Sequence, residues 1–410
     1  MKKRVFSILT ALCLCLTLLP TAAFAAEDSG AAPAELRQEQ QEEVKPEAKP
    51  AQEEKEAQEK QEAAPQPAPS EGESVVLNNE GETVTTLTQE NIDTYVSDGL
   101  TGGSYQLGGN VTITSGSLKV TGTVTLDLNR YTLTIENPQS LNVPYYNNAG
   151  AELKDTAPIG ILVYSGVNGD APLTLTLKDS SDAKTGTLDV QGANATGIYV
   201  GCNCTLNIAG GTITNSTAVR DRTYTATGVK TVLGTVNMTG GRIEKQYTGV
   251  ELSGGTFTMS GNAEIADCGY LDADSNPQGY SGVWAYEGYK EPTDQTGMDG
   301  SNAHSSTLTM DGGTIKNCMN VAVGGGVQLD GRSTFTMTNG TITGCKSGEG
   351  RSGSSNFCGG GGVYVGGTFN MSGSARITNC EATFNSGGGV LVGGTFTMSG
   401  GTITGCKTAG

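Results

Sequence analysis

Short segments in which apolar and polar residues alternate recur along most of the chain. The clearest unit joins three such segments, at 362–365, 367–371 and 375–380, with the sequences GVYV, GTFNM and ARITNC. Closely similar units occupy 326–345 and 389–406, and more divergent ones occupy 228–243 and 249–268. Alternation with a period of two is typical of β-strands. Each unit is therefore predicted to contribute three short strands joined by turns.

The repeat has fixed strand motifs and a variable length. Its methionine position recurs at intervals of 21 to 51 residues, which indicates constant strands separated by turns of different lengths (Met238, Met259, Met310, Met337, Met371, Met398). Three strands per turn of about 21 to 30 residues are the signature of a parallel β-helix. We therefore predict an all-β fold, a solenoid of three sheets. Val363, Phe369 and Ile377 should point inward, while the Thr and Asn residues between them point outward.

Five cysteines take the same place in successive units, three residues after an inward Ile (Cys268, Cys318, Cys345, Cys380, Cys406). The residue before each is Asp, Asn or Gly, the types that tolerate a left-handed backbone. We expect a one-residue kink there that turns each thiol inward. The cysteines should then form an internal column with a packing role, because stacked parallel strands give poor disulfide geometry. The same arrangement cannot surround a zinc ion tetrahedrally.

The N-terminal part of the chain differs from the repeats. Residues 1–25 have a basic start, a short apolar run and Ala23-Phe-Ala, which predicts a signal peptide cleaved after Ala25. Residues 26–74 are rich in Glu, Gln, Ala, Lys and Pro and are predicted to be a disordered linker. Residues 75–410 form the predicted β-helix, which we expect to be truncated at its C-terminal end. A short amphipathic helix is expected at 88–98, with Thr88 as its cap.

Composition restricts the partners that the protein can have. The chain carries 42 acidic and 25 basic residues, a net charge of −17, which argues against nucleic acid and anionic lipid as ligands. Its 61 glycines disfavour a helical bundle. No apolar run after the signal peptide approaches membrane-spanning length. The mature protein is therefore expected to be secreted or held at the cell wall or cell surface.

The motifs GGGVxV and GTFTMSGGTIT resemble the right-handed parallel β-helix repeats of bacterial surface proteins, of the adhesin type and the polymorphic outer-membrane type. The segments at 123–129 and 132–135 are similar to a first coil of pectate-lyase-like folds. The resemblance covers residues 100–410 and implies a right-handed parallel β-helix. The family includes adhesins, polysaccharide lyases and glycosidases, so it defines a fold more closely than a function.

The candidate ligand-binding residues are aromatic. Trp284 aligns with the outward Tyr364, and Tyr280, Tyr286 and Tyr289 are close to it in sequence, near insertions at 269–280 and 287–305. Exposed aromatic rings suit sugars or partner proteins. Alternatively, the 287–305 loop covers Trp284.

No paired carboxylates are evident on successive coils, so we expect no catalytic residues, no metal and no cofactor. The favoured function is adhesin-like binding of carbohydrate or surface proteins. The alternatives are a polysaccharide lyase or glycoside hydrolase of the pectate-lyase-like fold, and an inert structural stalk.

Overall fold

A computed structural model describes residues 75–77, 83–146, 152–166, 171–218, 223–288, 303–349, 358–383 and 386–409. All of them belong to one compact unit, Pro67–Gly410. The predicted signal peptide at 1–25, the linker at 26–74 and Tyr289 lie outside the described residues.

The predicted fold class, a right-handed parallel β-helix of three sheets, is confirmed. Sheet 1 contains Thr83–Leu87, Gly103–Leu107, Thr123–Asp127, Thr174–Lys178, Thr205–Ile208, Thr235–Met238, Thr256–Ala266, Thr307–Lys316, Thr334–Thr343, Thr368–Met371 and Thr395–Met398. Sheet 2 contains Val111–Ile113, Thr132–Ile135, Thr187–Val190, Thr212–Thr214, Arg242–Glu244, Arg376–Thr378 and Thr402–Thr404. The three long strands of sheet 1 continue into sheet 2. With Val75–Leu77, which pairs antiparallel to Thr83–Leu87, the two sheets form one network of 19 strands.

Sheet 3 stacks in parallel across the same coils. Its strands are Leu118–Val120, Pro158–Val163, Thr196–Val200, Thr227–Val232, Thr248–Ser253, Val283–Tyr286, Val327–Leu329, Val363–Val365 and Val390–Val392, with Gln139–Ser140 paired antiparallel at one end. A four-stranded corner sheet contains Met319–Asn320, Lys346–Ser347, Glu381–Ala382 and Lys407–Thr408. Two antiparallel ribbons project from the coils, Val143–Tyr146 with Glu152–Asp155 and Tyr270–Leu271 with Pro277–Gln278.

Equivalent apolar side chains stack above one another inside the tube. Val363, Phe369 and Ile377, one from each sheet, are fully buried. The ring of Phe369 stacks on those of Phe335 and Phe396, with centroids 4.6 and 5.0 Å apart. The alternation seen in the sequence is therefore the division between core and surface, as the period of two requires.

The kink predicted before each repeated cysteine is present. The preceding residues have φ between 54° and 65° (Asp267, Asn317, Gly344, Asn379, Gly405). Each thiol turns back and donates to the carbonyl oxygen two residues earlier, at 3.3 to 3.5 Å. Four of these cysteines are completely buried and Cys406 is partly exposed. All eight cysteines of the described residues are free thiols.

A short helix, Ile92–Asp98, packs Ile92 and Tyr95 against the first coils. The prediction of a helix at 88–98 was correct in place and too long, and Thr88 is not its cap. The N-cap is Asn91, whose side-chain oxygen instead accepts from the backbone N–H of Thr88 at 2.8 Å. No helix in the described part of the chain is long and apolar enough to span a membrane.

Candidate functional site

The outer face of sheet 3 carries the predicted aromatic residues. One outward position of each strand is held in register from coil to coil, and we call this row the sheet 3 column (Lys119, Leu162, Tyr199, Lys230, Glu251, Trp284, Gln328, Tyr364, Leu391). The alignment of Trp284 with Tyr364 is therefore confirmed. Most residues of this column are charged or aromatic. The outward positions on most strands of sheet 1 instead hold Thr and Asn.

Trp284 contacts two tyrosine rings. Its indole stacks on Tyr280 with ring centroids 5.3 Å apart and planes inclined by 17°. Tyr286 packs against it in a tilted arrangement, with centroids 4.5 Å apart and planes inclined by 36°. Tyr280 is 41% exposed, and its ring also packs edge-to-face with the buried Tyr247. The exposed ring of Tyr280 therefore adjoins the indole at the surface.

Asp330, which belongs to the next coil, holds the indole of Trp284 in place. Its Oδ2 accepts hydrogen bonds from Nε1 of Trp284 at 2.7 Å and from Nε2 of Gln328 at 2.9 Å. Burial raises the pKa of the Asp330 carboxyl above its ordinary value, and the two hydrogen bonds oppose the shift. Burial also raises the pKa of the neighbouring Tyr364 phenol, and the Asp330 charge adds to that effect. The indole orientation is thus determined by a partly buried carboxylate.

The preceding coils place a charged cluster beside Trp284. Lys230 Nζ lies 2.8 Å from Asp155 Oδ2 and 3.2 Å from Glu251 Oε1, and the hydroxyl of Tyr286 donates to Glu251 at 2.7 Å. Burial lowers the pKa of Lys230, but the two carboxylates outweigh it and hold that pKa well above its ordinary value. Through Tyr286, the ionic cluster and the aromatic stack form one continuous network.

Part of this network was predicted from the sequence. Trp284, Tyr280 and Tyr286 are brought together, while Tyr289 lies outside the described residues. Their role as ligand contacts remains a prediction. Glu251 and Lys230 were missed, although the repeated Gly-Val motif at 228–230 and 249–251 already aligned them with Trp284.

Asp330 and Asp155 were missed as well. Asp330 follows Gln328 by two residues on the next coil, and Asp155 belongs to an inserted ribbon outside the repeat.

The side chains at this face can form hydrogen bonds and aromatic contacts, and their carboxyl groups can donate or accept protons. Within the described ranges, no group of three or more His, Cys, Asp and Glu side chains has the geometry of a metal site. His304, the single histidine of the chain, is exposed.

Comparison of the chain with protein-family models, with curated proteins and with solved structures gave no match.

Proposed function

We propose that this protein is an exported β-helix protein of the cell surface or cell wall that binds glycans in the manner of an adhesin, through the sheet 3 column around Trp284. The observation that carries the proposal is the contact of Trp284 with Tyr280 and Asp330 at a surface where Tyr280 is 41% exposed. An apolar ring next to oriented hydrogen-bonding groups complements a sugar, which has both C–H faces and hydroxyls.

The network around Trp284 favours binding because it is already ordered. The Asp330 hydrogen bond and the contacts with the rings of Tyr280 and Tyr286 hold the indole in one orientation. Side chains fixed in this way lose little conformational entropy when a ligand arrives. The uncharged side chains of Gln328 and Tyr364 come next along the column and would contact a second sugar residue.

Export and surface location belong to the same proposal. They are supported by the predicted signal peptide at 1–25 and by the resemblance of the repeats to adhesin-type and pectate-lyase-like β-helices. A parallel β-helix suits such a role, since its coils present long sheets from which loops and columns contact a partner.

Glycan-array binding of the full chain tests the proposal. We expect a defined group of glycans to bind the wild-type protein but not Trp284→Ala. The control variant is Tyr131→Ala, which removes a half-buried tyrosine far from Trp284 in the sequence and should bind the same glycans. Loss of binding in both variants, or in neither, would contradict a site at Trp284. Absence of binding by the wild-type protein would favour an inert stalk.

A second candidate function is cleavage of a polysaccharide, and the carboxylates of Glu251 and Asp330 on either side of Trp284 favour it. Burial raises the pKa of the Asp330 carboxyl, as the proton donor of a general acid–base pair requires. Incubation with pectin-like and neutral polymers would then release reducing or unsaturated ends, and Glu251→Gln and Asp330→Asn would each abolish the release. Polymers left intact by the wild-type protein would exclude this candidate for those substrates.

A further inference from the structure

The outer face of sheet 1 is the most regular surface of the molecule. Nine consecutive coils present the pattern Thr-x-Thr or Thr-x-Asn, with both outward positions in register throughout. We call these two rows the threonine array. The first row is entirely Thr (Thr123, Thr174, Thr205, Thr235, Thr256, Thr307, Thr334, Thr368, Thr395). The second contains Thr and three Asn (Thr125, Thr176, Asn207, Asn237, Thr258, Thr309, Thr336, Asn370, Thr397).

The two rows of the threonine array carry no charged side chain, whereas the neighbouring sheet 2 does. The net charge is −17, yet none of the array positions is Asp, Glu, Lys or Arg. Sheet 2, which continues the same strands, carries ion pairs such as Arg242 with Glu264 and Lys316 with Glu264. The absence of charge is therefore a property of these two rows over nine coils and not of the whole surface.

The array is rigid and its polar groups are available. Threonine is stiff at χ1, so its hydroxyl and methyl groups hold fixed positions on a strand. Within the described part of the chain, the hydroxyls of Thr256, Thr258, Thr334 and Thr336 form no hydrogen bond, whereas Asn237 donates to Asn207 at 3.0 Å. The array positions are half-buried or exposed, which leaves their polar atoms open to a ligand.

We propose that the threonine array is a second carbohydrate-binding surface, for an extended neutral polysaccharide of the β-1,4-glucan type that lies along the stack of coils. Adjacent strands are separated by about 4.8 Å, close to the length of one pyranose residue in such a chain, so that successive sugars meet successive coils. The hydroxyl, amide and methyl groups of Thr and Asn match sugar hydroxyls and C–H groups. Because the array has no cationic side chains, it should prefer a neutral polymer to a uronate polymer. The carboxylates of a uronate polymer would be desolvated at the array without an ion pair to compensate.

The ligand must be long for this surface to hold it. Each hydrogen bond to an exposed hydroxyl exchanges with water and contributes little alone. A polymer in register with many coils adds these contacts and loses its translational freedom only once. The inference extends the proposed glycan binding to a different face. It rests on the proposed export of the chain, and it does not depend on Trp284.

Co-sedimentation of the full chain with microcrystalline cellulose tests the proposal. One long strand supplies a matched pair of variants, Thr336→Lys in the array and Thr341→Lys in sheet 2, where the next coil already carries Arg376 in the same row. We expect the wild-type protein and Thr341→Lys to sediment with cellulose. Thr336→Lys should lose about tenfold in affinity because it sets a charge against a neutral polymer. Thr336→Asn should bind, since Asn is already found in that row.

Three outcomes would overturn the proposal. They are a wild-type protein that stays in the supernatant, equal binding by Thr336→Lys and Thr341→Lys, and preferential binding to insoluble polygalacturonate. A wild-type dimer in analytical ultracentrifugation that Thr336→Lys converts to a monomer would assign the face to a second copy of the chain instead. Glycan-array binding at Trp284 would stand or fall separately.

Discussion

The indole N–H of Trp284 donates a 2.7 Å hydrogen bond to Oδ2 of Asp330, a residue supplied by the next coil of the β-helix. This bond joins adjacent coils through side chains as well as through their backbone ladder. Trp284 is the single tryptophan of the chain, so its fluorescence reports on this contact without interference.

Two substitutions of Asp330 should separate the effect of its hydrogen bonds on stability from the effect of its charge. Asp330→Ala leaves the N–H groups of Trp284 and Gln328 without their acceptor and should destabilise the protein by about 1–3 kcal/mol. Asp330→Asn keeps an acceptor and removes a partly buried charge, so its stability at neutral pH should equal or exceed that of the wild type. Denaturant unfolding measures both differences. Equal destabilisation by the two variants would contradict this account.

The same carboxyl predicts a pH dependence. Because burial raises the folded-state pKa of Asp330, its ionisation costs stability as the pH rises from the unfolded value through the folded one. The stability contribution of neutral Asp330 is therefore present at low pH and lost at neutral pH. Trp284 emission should titrate with a midpoint above the ordinary aspartate value of about 3.9, and Asp330→Asn should abolish that transition. An identical titration in the variant would assign the transition to another group.

The Lys230 cluster should be sensitive to the loss of one partner. Lys230→Met leaves the carboxylates of Asp155 and Glu251 close together without their cation, and we expect a loss of about 3–5 kcal/mol. A triple variant in which Lys230, Asp155 and Glu251 are all replaced by apolar residues of similar size should recover most of that loss. Chemical denaturation compares the three proteins. A Lys230→Met variant as stable as the wild type would show that the cluster contributes little.

The kinks before the cysteines should tolerate few side chains. Gly344 has φ +63°, and an added Cβ would lie 2.7 Å from Oδ1 of Asn317 in the adjacent coil. Gly344→Ala should therefore cost about 1–2 kcal/mol for the backbone alone, with steric conflict in addition. Asn379→Gly, at an equivalent kink with φ 54°, serves as the control and should change stability little. Gly344→Ala with unchanged stability would contradict the assigned conformation.

The thiol column should be protected in the folded protein. Cys268, Cys318, Cys345 and Cys380 are fully buried, whereas Cys406 is partly exposed. A thiol reagent should label these four buried cysteines only on unfolding, because the attacking thiolate must be accessible. Mass spectrometry of the labelled peptides locates the modified residues. Rapid native labelling of Cys345 would show that the column is not internal.

The repeats predicted the fold because each one has the same pattern of inward apolar residues, outward polar residues and kinks. Alternation at Phe369 and Met371 separates core from surface, and Asp, Asn or Gly before each cysteine permits a left-handed residue. Stacking then follows, since a single coil cannot cover its own apolar side chains. These features are local in sequence and could be recognised without coordinates.

The candidate site was only partly predictable because it depends on contacts between distant residues. The repeat aligned Trp284 with Tyr364, but one partner of Lys230 is Asp155, which belongs to an inserted ribbon outside the periodic pattern. The sequence predicted aromatic faces open to a ligand. The structure packs the rings of Tyr280 and Tyr286 against Trp284, an arrangement set by side-chain packing that sequence spacing does not determine.

Fluorescence of Trp284 during titration with a glycan selected on the array tests the central proposal most directly. A bound sugar would replace water at the indole and at the ring of Tyr280. We therefore predict a saturable change in emission whose midpoint equals the dissociation constant measured by calorimetry, in the wild-type protein and in Tyr131→Ala. Calorimetric binding of the glycan with unchanged Trp284 emission would place the glycan site elsewhere on the protein and contradict the proposal.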